Sequence, residues 1–572
     1  MRPLFRVWPL VVLALAYGLY AAVREAWVCD DAFLSFRYAK NLVGGLGLVF
    51  NGGEPPVEGY TNFLWTMLLA AGMGLGQDPV QLAQVAGIAS YVATIGLLAA
   101  CAWRAPGGVG LPAAAVGLAL HLHASRFATG GLETAMFTLL ATLGLVLLIE
   151  ARGACGFAAA GAVWILATMT RPDGAIFYAL GGLFAAWVAW RRRDWGPLVA
   201  FSSSLVLIYV PYFAWKLVYY GDPLPNTFYA KSAGRGYLAE GVHYVWLYLA
   251  CYWVLLPGLA LPLVFAWLRR GDRELAAGWG GLRAPLLLGA FVWTYAAYVA
   301  WVGGDFMFSR FCLPLTPALL LGWQCVANLG ARSGRLVTAA LAVGMAAIAY
   351  PAESLHRHVV EEKRYYPEWK LRSSERIARH LARAFAGTDL RIAIKGTQAM
   401  LAYYGEFPLA IEIHGLTDRY IARRRVTHRG RVGHEKLLPF EDPYYARRGV
   451  DLVVGPVHDE RIRDDRIGAE WRRLEFDMPG VRFNGMSPGG WFRATLLTYD
   501  RNVLRALDGR AGFRYRRFEE RLDAYLATVE SRPSDELRAD FQAFQRFYFD
   551  HNHDPRRRGE FLRALARAAP GK

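Results

Sequence analysis

Long, nearly unbroken apolar runs alternate with short polar stretches through the first 350 residues, and most have the length of a membrane-crossing helix or slightly less. They predict spanning segments near 6–23, 81–101, 111–124, 133–150, 156–170, 174–190, 198–218, 245–268, 284–302, 311–330 and 334–350, about eleven in all. One more apolar stretch, Thr61 to Gln77, is only about 17 residues long and carries three glycines, so it reads as an interfacial or re-entrant helix. Past residue 350 the runs shorten to strand length, at Arg391–Ile394, Leu409–Ile413, Asp451–Val454 and Phe492–Leu497, separated by Arg-rich segments. The pattern therefore predicts a polytopic α-helical membrane region over 1–350 and a soluble α/β domain over 351–572. The last stretch, from about Arg516 to Ala569, is a helical, amphipathic tail.

Composition agrees with that division. At 55% hydrophobic, 14% aromatic and 19% charged residues, the 572-residue chain is too apolar for a soluble protein of its length. A formal net charge of +17 would suggest nucleic acid in a soluble domain. Much of the Lys and Arg instead flanks apolar runs, where it sets topology and meets anionic lipid, and no nucleic-acid motif is present. The six cysteines (Cys29, Cys101, Cys155, Cys251, Cys312, Cys325) are scattered, without metal-ligand spacing, and a disulfide framework is not expected.

Basic residues orient the chain. Arg2 and Arg6 place the N-terminus in the cytoplasm, and Arg104, Arg152, Arg191 to Arg193, Arg269, Arg270, Arg273, Arg332 and Arg335 then fall in cytoplasmic loops. An odd number of spans puts the C-terminal domain on the outer, periplasmic face of a bacterial inner membrane. The bookkeeping holds only if Thr61–Gln77 does not cross. The first 23 residues resemble a signal sequence, but no small-residue cleavage site follows them.

The outer face of this topology collects polar residues with no packing role. Asp30 and Asp31 stand side by side a few residues beyond the first span; adjacent carboxylates at a bilayer edge repel each other and are costly to desolvate, which favours a chemical reason for them. The same loop carries Arg37, Asn51, Glu54, Glu58, Tyr60 and Asn62. Other loops contribute Glu133, Arg171 with Asp173, Asn226 with Lys231, and Asp305 with Arg310. Each acid–base pair taken alone is equally a local salt bridge that closes a turn. As a set, gathered from different loops onto one face, they suggest a site.

These loops together resemble one family. Asp30-Asp31-Ala32-Phe33-Leu34-Ser35-Phe36-Arg37-Tyr38-Ala39-Lys40-Asn41-Leu42, Val57-Glu58-Gly59-Tyr60-Thr61-Asn62-Phe63-Leu64-Trp65, Gly131-Leu132-Glu133-Thr134, Arg171-Pro172-Asp173-Gly174 and Gly303-Gly304-Asp305 are similar to the AftB-like terminal arabinofuranosyltransferases. The likeness continues through Gly415-Leu416-Thr417-Asp418-Arg419-Tyr420 and Gly433-His434-Glu435-Lys436; one departure is Glu412, where relatives more often carry Asp. The resemblance implies the GT-C superfamily of multispanning glycosyltransferases, which take sugar from a polyprenyl-phosphate carrier and keep acidic catalytic residues in the first external loop. It also implies that residues 1–23 are retained as an anchor.

The chemistry implied is transfer of a sugar, arabinofuranose in the family, to a cell-envelope glycan or another external acceptor. Either Asp30 or Asp31 serves as base toward the acceptor hydroxyl while the other orients that hydroxyl or a metal. A single base without a covalent step inverts the anomeric centre. Arg171, Lys231 and Arg310 are the candidates for the donor phosphate. Arg37, Glu58, Tyr60, Asn62, Glu133, Asp173, Asn226 and Asp305 are candidates for sugar hydroxyls or for holding those cations. No motif demands a cofactor; a divalent cation suits paired carboxylates, but no ligand spacing requires one. The soluble domain is expected to bind the glycan acceptor, with Tyr403, Tyr404, Trp471 and Trp491 as stacking candidates; His414 and His434 read as ordinary surface or hydrogen-bonded histidines. Two competing readings are a non-catalytic membrane scaffold, since some relatives are associated with flagellar motor control, and a transporter. A transporter would place its ionisable residues near the bilayer midplane rather than at span ends.

Overall fold

The computed structural model describes residues 4–104, 110–231, 236–268, 278–279, 281–348 and 359–368, then discontinuous stretches that include 391–394, 399–426, 435–438, 442–448, 452–454, 457–458, 482–483, 525–545 and 554–568. Contacts divide the chain into two units: Met1–Val49, Pro56–Pro367 and Ala422–Glu435 form the first, and Phe50–Pro55, Glu368–Ile421 and Lys436–Lys572 the second.

The first unit is helical. Its elements are α1 (Leu4–Arg24), α2 (Ala32–Val43), α3 (Phe63–Gly74), α4 (Pro79–Arg104), α5 (Ala113–Ala119), α6 (Leu122–Phe127), α7 (Thr134–Glu150), α8 (Ala154–Thr170), α9 (Gly174–Arg192) and α10 (Gly196–Ser204). There follow α11 (Val210–Tyr220), α12 (Asn226–Ala230), α13 (Leu238–Cys251), α14 (Pro257–Leu268), α15 (Arg283–Val302), α16 (Thr316–Ala327) and α17 (Ala331–Ala346). Among the described residues, five helical stretches are long and apolar enough to cross a membrane: Val7–Arg24, Pro79–Arg104, Gly174–Arg192, Gly196–Tyr220 and Arg283–Val302. A sixth is added if α13 and the stretch Trp253–Leu268, bent by 97° at their junction, count as one broken span. This part of the chain is a multi-pass membrane unit.

Of the eleven spans expected from sequence, those near 111–124, 133–150, 156–170, 311–330 and 334–350 are not among these membrane-length helices, whereas 198–218 is. Residues 111–124 do not form one span, because His121 takes an extended backbone and its side chain accepts the Ala124 N–H, ending α5 and capping α6. The run 198–218 is helical throughout but contains a π turn at Leu205–Tyr209, next to Pro211, which has no N–H to continue the ladder. Helix α3 has 12 residues, about 18 Å of rise against a hydrocarbon core of about 30 Å, too short to cross alone.

The unit's interior is built from aromatic rings against small residues. Trp164 of α8 is fully buried and donates its indole N–H to the Ala141 carbonyl at 3.1 Å. Phe177 of α9 stacks on Phe291 of α15 with ring centroids 4.2 Å apart. These contacts pack α7 against α8 and α9 against α15, and the polar loops follow from the ends of these helices.

The second unit carries a parallel three-stranded sheet in the order β2-β1-β3, from β1 (Arg391–Ile394), β2 (Leu409–Glu412) and β3 (Leu452–Val454). The short strands β1 and β2, buried along nearly their whole length, suit parallel pairing, and the helix Ala399–Gly405 lies in the connection from β1 to β2. Asn51 exchanges two hydrogen bonds with the backbone of Ala410 in β2, at 3.1 and 3.0 Å. A further antiparallel pair joins β4 (Val457–His458) to β5 (Arg482–Phe483). The expected strand at Phe492–Leu497 lies outside the described residues, as do Trp471, Trp491 and His434. All six cysteines are free thiols.

Candidate active site

Asp30 and Asp31 sit at the start of α2, where Asp31 occupies the N-cap position. Asp30 is buried and Asp31 half-buried. The loop is pinned from behind: the Cys29 N–H donates to Gly130 O at 2.9 Å and the Trp65 indole to Gly131 O at 3.1 Å. Gly131 has φ +81°, and a Cβ there would come within 2.8 Å of the Ala32 side chain, so the Gly130–Gly131 turn can approach α2 only without a side chain. Arg37 is buried one turn further along α2.

That turn delivers Glu133 into a network assembled from four loops. Asn62 donates to Glu133 Oε2 at 3.0 Å, and its own oxygen accepts from Ser35 and Thr66 at 3.0 and 3.1 Å. The other Glu133 oxygen lies 3.3 Å from an Arg310 nitrogen and 3.7 Å from Arg171 Nη1. Arg171 makes a two-pronged pair with Asp173, both contacts at 3.0 Å, and Asp173 accepts the Tyr295 hydroxyl at 2.6 Å. Arg310 reaches Asp305 at 3.4 Å, on a loop turned out of α15 by Gly303 and Gly304 at φ +94° and +71°. The Phe311 ring lies 4.5 Å from the Arg171 guanidinium and 6.0 Å from that of Arg310. Each arginine keeps one buried donor without a hydrogen-bond acceptor, Nη1 of Arg171 and Nε of Arg310. Neither Arg171 nor Arg310 therefore pairs only with its neighbour in sequence.

Charge shifts follow from this geometry. Burial pushes the Asp31 carboxyl up, and Lys231 and Arg310 pull it back down while Asp305 and Glu133 raise it. Burial likewise works against the charged form of Glu133, but Arg310 and Arg171 outweigh it and hold that carboxyl below its ordinary range. Lys231, half-buried at the end of α12, acts on Asp31 from the opposite loop, with its stem beside Gly433.

A second cluster gathers the other residues expected from the first loop. Glu58 pairs with Lys216 at 3.0 Å, and its backbone carbonyl accepts the Asn226 N–H at 2.9 Å. Tyr60 and Tyr220 share a hydroxyl–hydroxyl bond of 3.1 Å; Tyr220 also donates to Leu48 O at 2.9 Å. Burial raises the Glu58 carboxyl to about 7 despite Lys216.

Sequence reasoning missed Lys216, Tyr295, Phe311 and a buried group around His123, Arg126 and Glu361. Lys216 and His123 each interrupt an apolar run, and an ionisable residue inside such a run is itself the signal. In the second unit, Tyr403 is buried, Tyr404 stacks edge-on against it at 4.9 Å, and His414 is half-buried. Glu412 caps its own strand end, accepting the His414 and Thr417 N–H groups at 2.8 and 3.1 Å. Among the described residues no group of three or more His, Cys, Asp or Glu side chains is placed to hold a metal ion.

No family model matches the chain. It is 30% identical over 338 residues to a terminal β-(1→2)-arabinofuranosyltransferase of Corynebacterium glutamicum, across 53% of this chain and 48% of that protein. It is 30% identical over 341 residues to the protein of the same name from Mycobacterium tuberculosis, across 53% of this chain and 52% of that one. The chain thus spans about half the length of these curated relatives. Among solved structures, ArnT of Cupriavidus metallidurans bound to undecaprenyl phosphate aligns with a TM-score of 0.47 at 16% identity, covering 70% of this chain and 84% of that one. The apo form of ArnT aligns with a TM-score of 0.46 at 16% identity, covering 70% and 85%.

Proposed function

We propose that the chain is a membrane glycosyltransferase of the arabinofuranosyltransferase type, moving a sugar from a polyprenyl-phosphate donor to an external cell-envelope glycan with inversion. The observation that carries the reading is the pair of guanidiniums sharing the Glu133 carboxylate, each with an unused buried donor, with Arg310 in electrostatic reach of Asp31. Spare donors of that kind suit a phosphate, which offers several acceptor oxygens and takes up charge as the sugar departs.

In this mechanism Asp30 or Asp31 accepts the acceptor's hydroxyl proton. The burial that raises Asp31 makes it a stronger base, and the nearby cations keep it ionised. Arg171, Lys231 and Arg310 hold the departing phosphate. Asn62, Glu133, Asp173 and Asp305 aim those cations, while Arg37, Glu58, Tyr60 and Asn226 shape the sugar-binding side of the first loop. The soluble α/β domain faces the periplasm from the inner membrane and presents the acceptor; the division of labour is 1–350 for chemistry and 351–572 for acceptor binding, except for Val359–Tyr366, which belongs to the first unit.

The test uses the purified full chain in lipid and a synthetic decaprenyl-phosphoryl arabinofuranose. Sugar transfer to an arabinan acceptor, absent in a chain carrying both Asp30→Asn and Asp31→Asn, supports the reading; equal turnover by the double variant sinks it. For the topology, cysteines introduced as Asn51→Cys and Gly76→Cys are expected to be labelled from the same side of the membrane. Labelling from opposite sides means that the α3 segment crosses, and the periplasmic placement falls.

A further inference from the structure

The segment Val359–Tyr366, which follows the last helix of the membrane unit, touches three of the loops that carry the site. Its backbone pairs with the loop between Asp305 and Arg310: the Phe308 N–H donates to Val360 O at 2.9 Å, and the Val360 N–H donates to Phe306 O at 2.8 Å. Its Glu361 carboxylate sits 2.7 Å from His123 Nε2 and 3.3 Å from Arg126, four residues before the Gly130–Gly131 turn. The opposite ring nitrogen of His123 is taken by the Tyr252 hydroxyl at 2.5 Å, so the imidazole is fixed on both sides. Arg126 and Lys363 both bind Glu25, each at 2.8 Å, and the Trp27 indole donates to Arg126 O at 2.8 Å; Asp30 lies three residues beyond Trp27.

Val359, Val360, Glu362 and Tyr366 are all buried, so the segment is seated in the unit and does not lie loosely over it. None of the contacts described reaches Asp31 or Arg310 directly. What they do is tie the backbone leading to Asp30, the backbone leading to Glu133 and the backbone flanking Arg310 to one short piece of chain.

Resting on the glycosyltransferase reading, we propose that Val359–Tyr366 is a positioning strap for the reaction: its Val360 backbone and Glu361 side chain fix the distance between the first-loop carboxylates and the Arg310 guanidinium. A transfer reaction needs base, acceptor and departing phosphate aligned, and a displacement on the order of an ångström costs about a hundredfold in rate. A strap that joins three loops meets that need without touching substrate.

The test removes the tie without changing any charge. Val360→Pro deletes the N–H that bonds Phe306 O; Val360→Ala keeps it and serves as the conservative control. Amide exchange is read first: the strap requires faster exchange at Cys29 and Phe308 in the proline variant, with the core of α8 unchanged. That comparison needs no activity, so it fails or succeeds independently of the glycosyltransferase reading, which transfer by the unaltered chain reports. With decaprenyl-phosphoryl arabinofuranose as donor, Val360→Pro is expected to lower kcat about tenfold or more with donor KM within about twofold. The acid limb of its rate–pH profile should move upward as Arg310 withdraws from Asp31, which is also faced by Lys231, Asp305, Glu133, Cys29 and Tyr366. Val360→Ala should behave as the unaltered chain. If the proline variant does not insert, Glu361→Gln, which keeps a bond to His123 and loses the charge toward Arg126, is expected to show the same kcat loss. Unaltered exchange, or a rate loss that only tracks the amount of folded protein with an unmoved pH limb, would overturn the proposal.

Discussion

Two buried polar clusters lie behind the first external loop, and they are put together differently. Around Glu58, one carboxylate meets one cation: Glu58 lies 3.0 Å from Lys216, which also donates to Pro223 O at 3.3 Å, and the Tyr60 and Tyr220 hydroxyls bond each other. Around Glu133, one carboxylate serves two guanidiniums at 3.3 and 3.7 Å, and the Arg310 contacts are longer than the usual 2.7–2.9 Å of charge-assisted bonds. Both arginines hold a buried donor in reserve. A carboxylate held by a single lysine fixes the loop that contains it, whereas, under the proposed function, a carboxylate shared by two guanidiniums with spare donors leaves room for an incoming anion. Under the proposed function, the Glu133 cluster serves the departing phosphate, while the Glu58 cluster holds the first loop on its sugar-binding side.

That contrast can be broken at several points. Asp30→Asn and Asp31→Asn, assayed singly in inserted protein, are each expected to lower transfer by about a hundredfold or more, the range for loss of a general base. If either variant alone keeps full turnover, that residue is not the base. Arg310→Met should lower kcat/KM by about a hundredfold, as for removal of one donor to a developing charge, and Arg310→Lys should recover part of it. An unchanged kcat/KM in Arg310→Met would make that arginine structural and erase the contrast. Lys216→Met leaves Glu58 buried without its cation and should cost about 3–5 kcal/mol of stability, seen as a lower melting midpoint in detergent, with transfer per folded molecule nearly intact. A large drop in transfer at full stability would move the Glu58 cluster into the chemistry.

The smallest effect is a slope. The Glu58 carboxyl rises from an ordinary 4.5 to about 7 in the folded chain, so the folded state holds a proton that the unfolded state has released between those values. Its contribution to stability is complete below pH 4.5 and is lost as pH rises through about 7. Glu58→Gln should flatten the fall of the melting midpoint across that window, and a slope identical to that of the unaltered chain would show that Glu58 is not the group responsible.

The sequence made the membrane architecture and the first loop legible because apolar length and adjacent acids are local properties. It placed Arg171 beside Asp173 and Arg310 beside Asp305, and both local pairs exist. It also offered Glu133 as a residue that could hold those cations, but not that one carboxylate would meet both arginines, which it does because Gly131 lets its turn press against α2. The break at His121 was hidden for a similar reason, since a capping histidine overrides an apolar run that would otherwise continue. Lys216 and the His123 group were visible as ionisable residues in apolar surroundings, yet their partners Glu58 and Glu361 lie 158 and 238 residues away in the chain.

In the proposed mechanism the spare donors of Arg171 and Arg310 are the seat of the donor phosphate. The most direct measurement is an electron cryomicroscopy structure of the full chain in lipid with undecaprenyl phosphate added. A phosphate oxygen is expected within hydrogen-bond reach, about 3 Å, of Arg171 Nη1 or Arg310 Nε, beside Asp31. A phosphate seated instead on Lys216, with both arginines still closed on Glu133, Asp173 and Asp305, would contradict it.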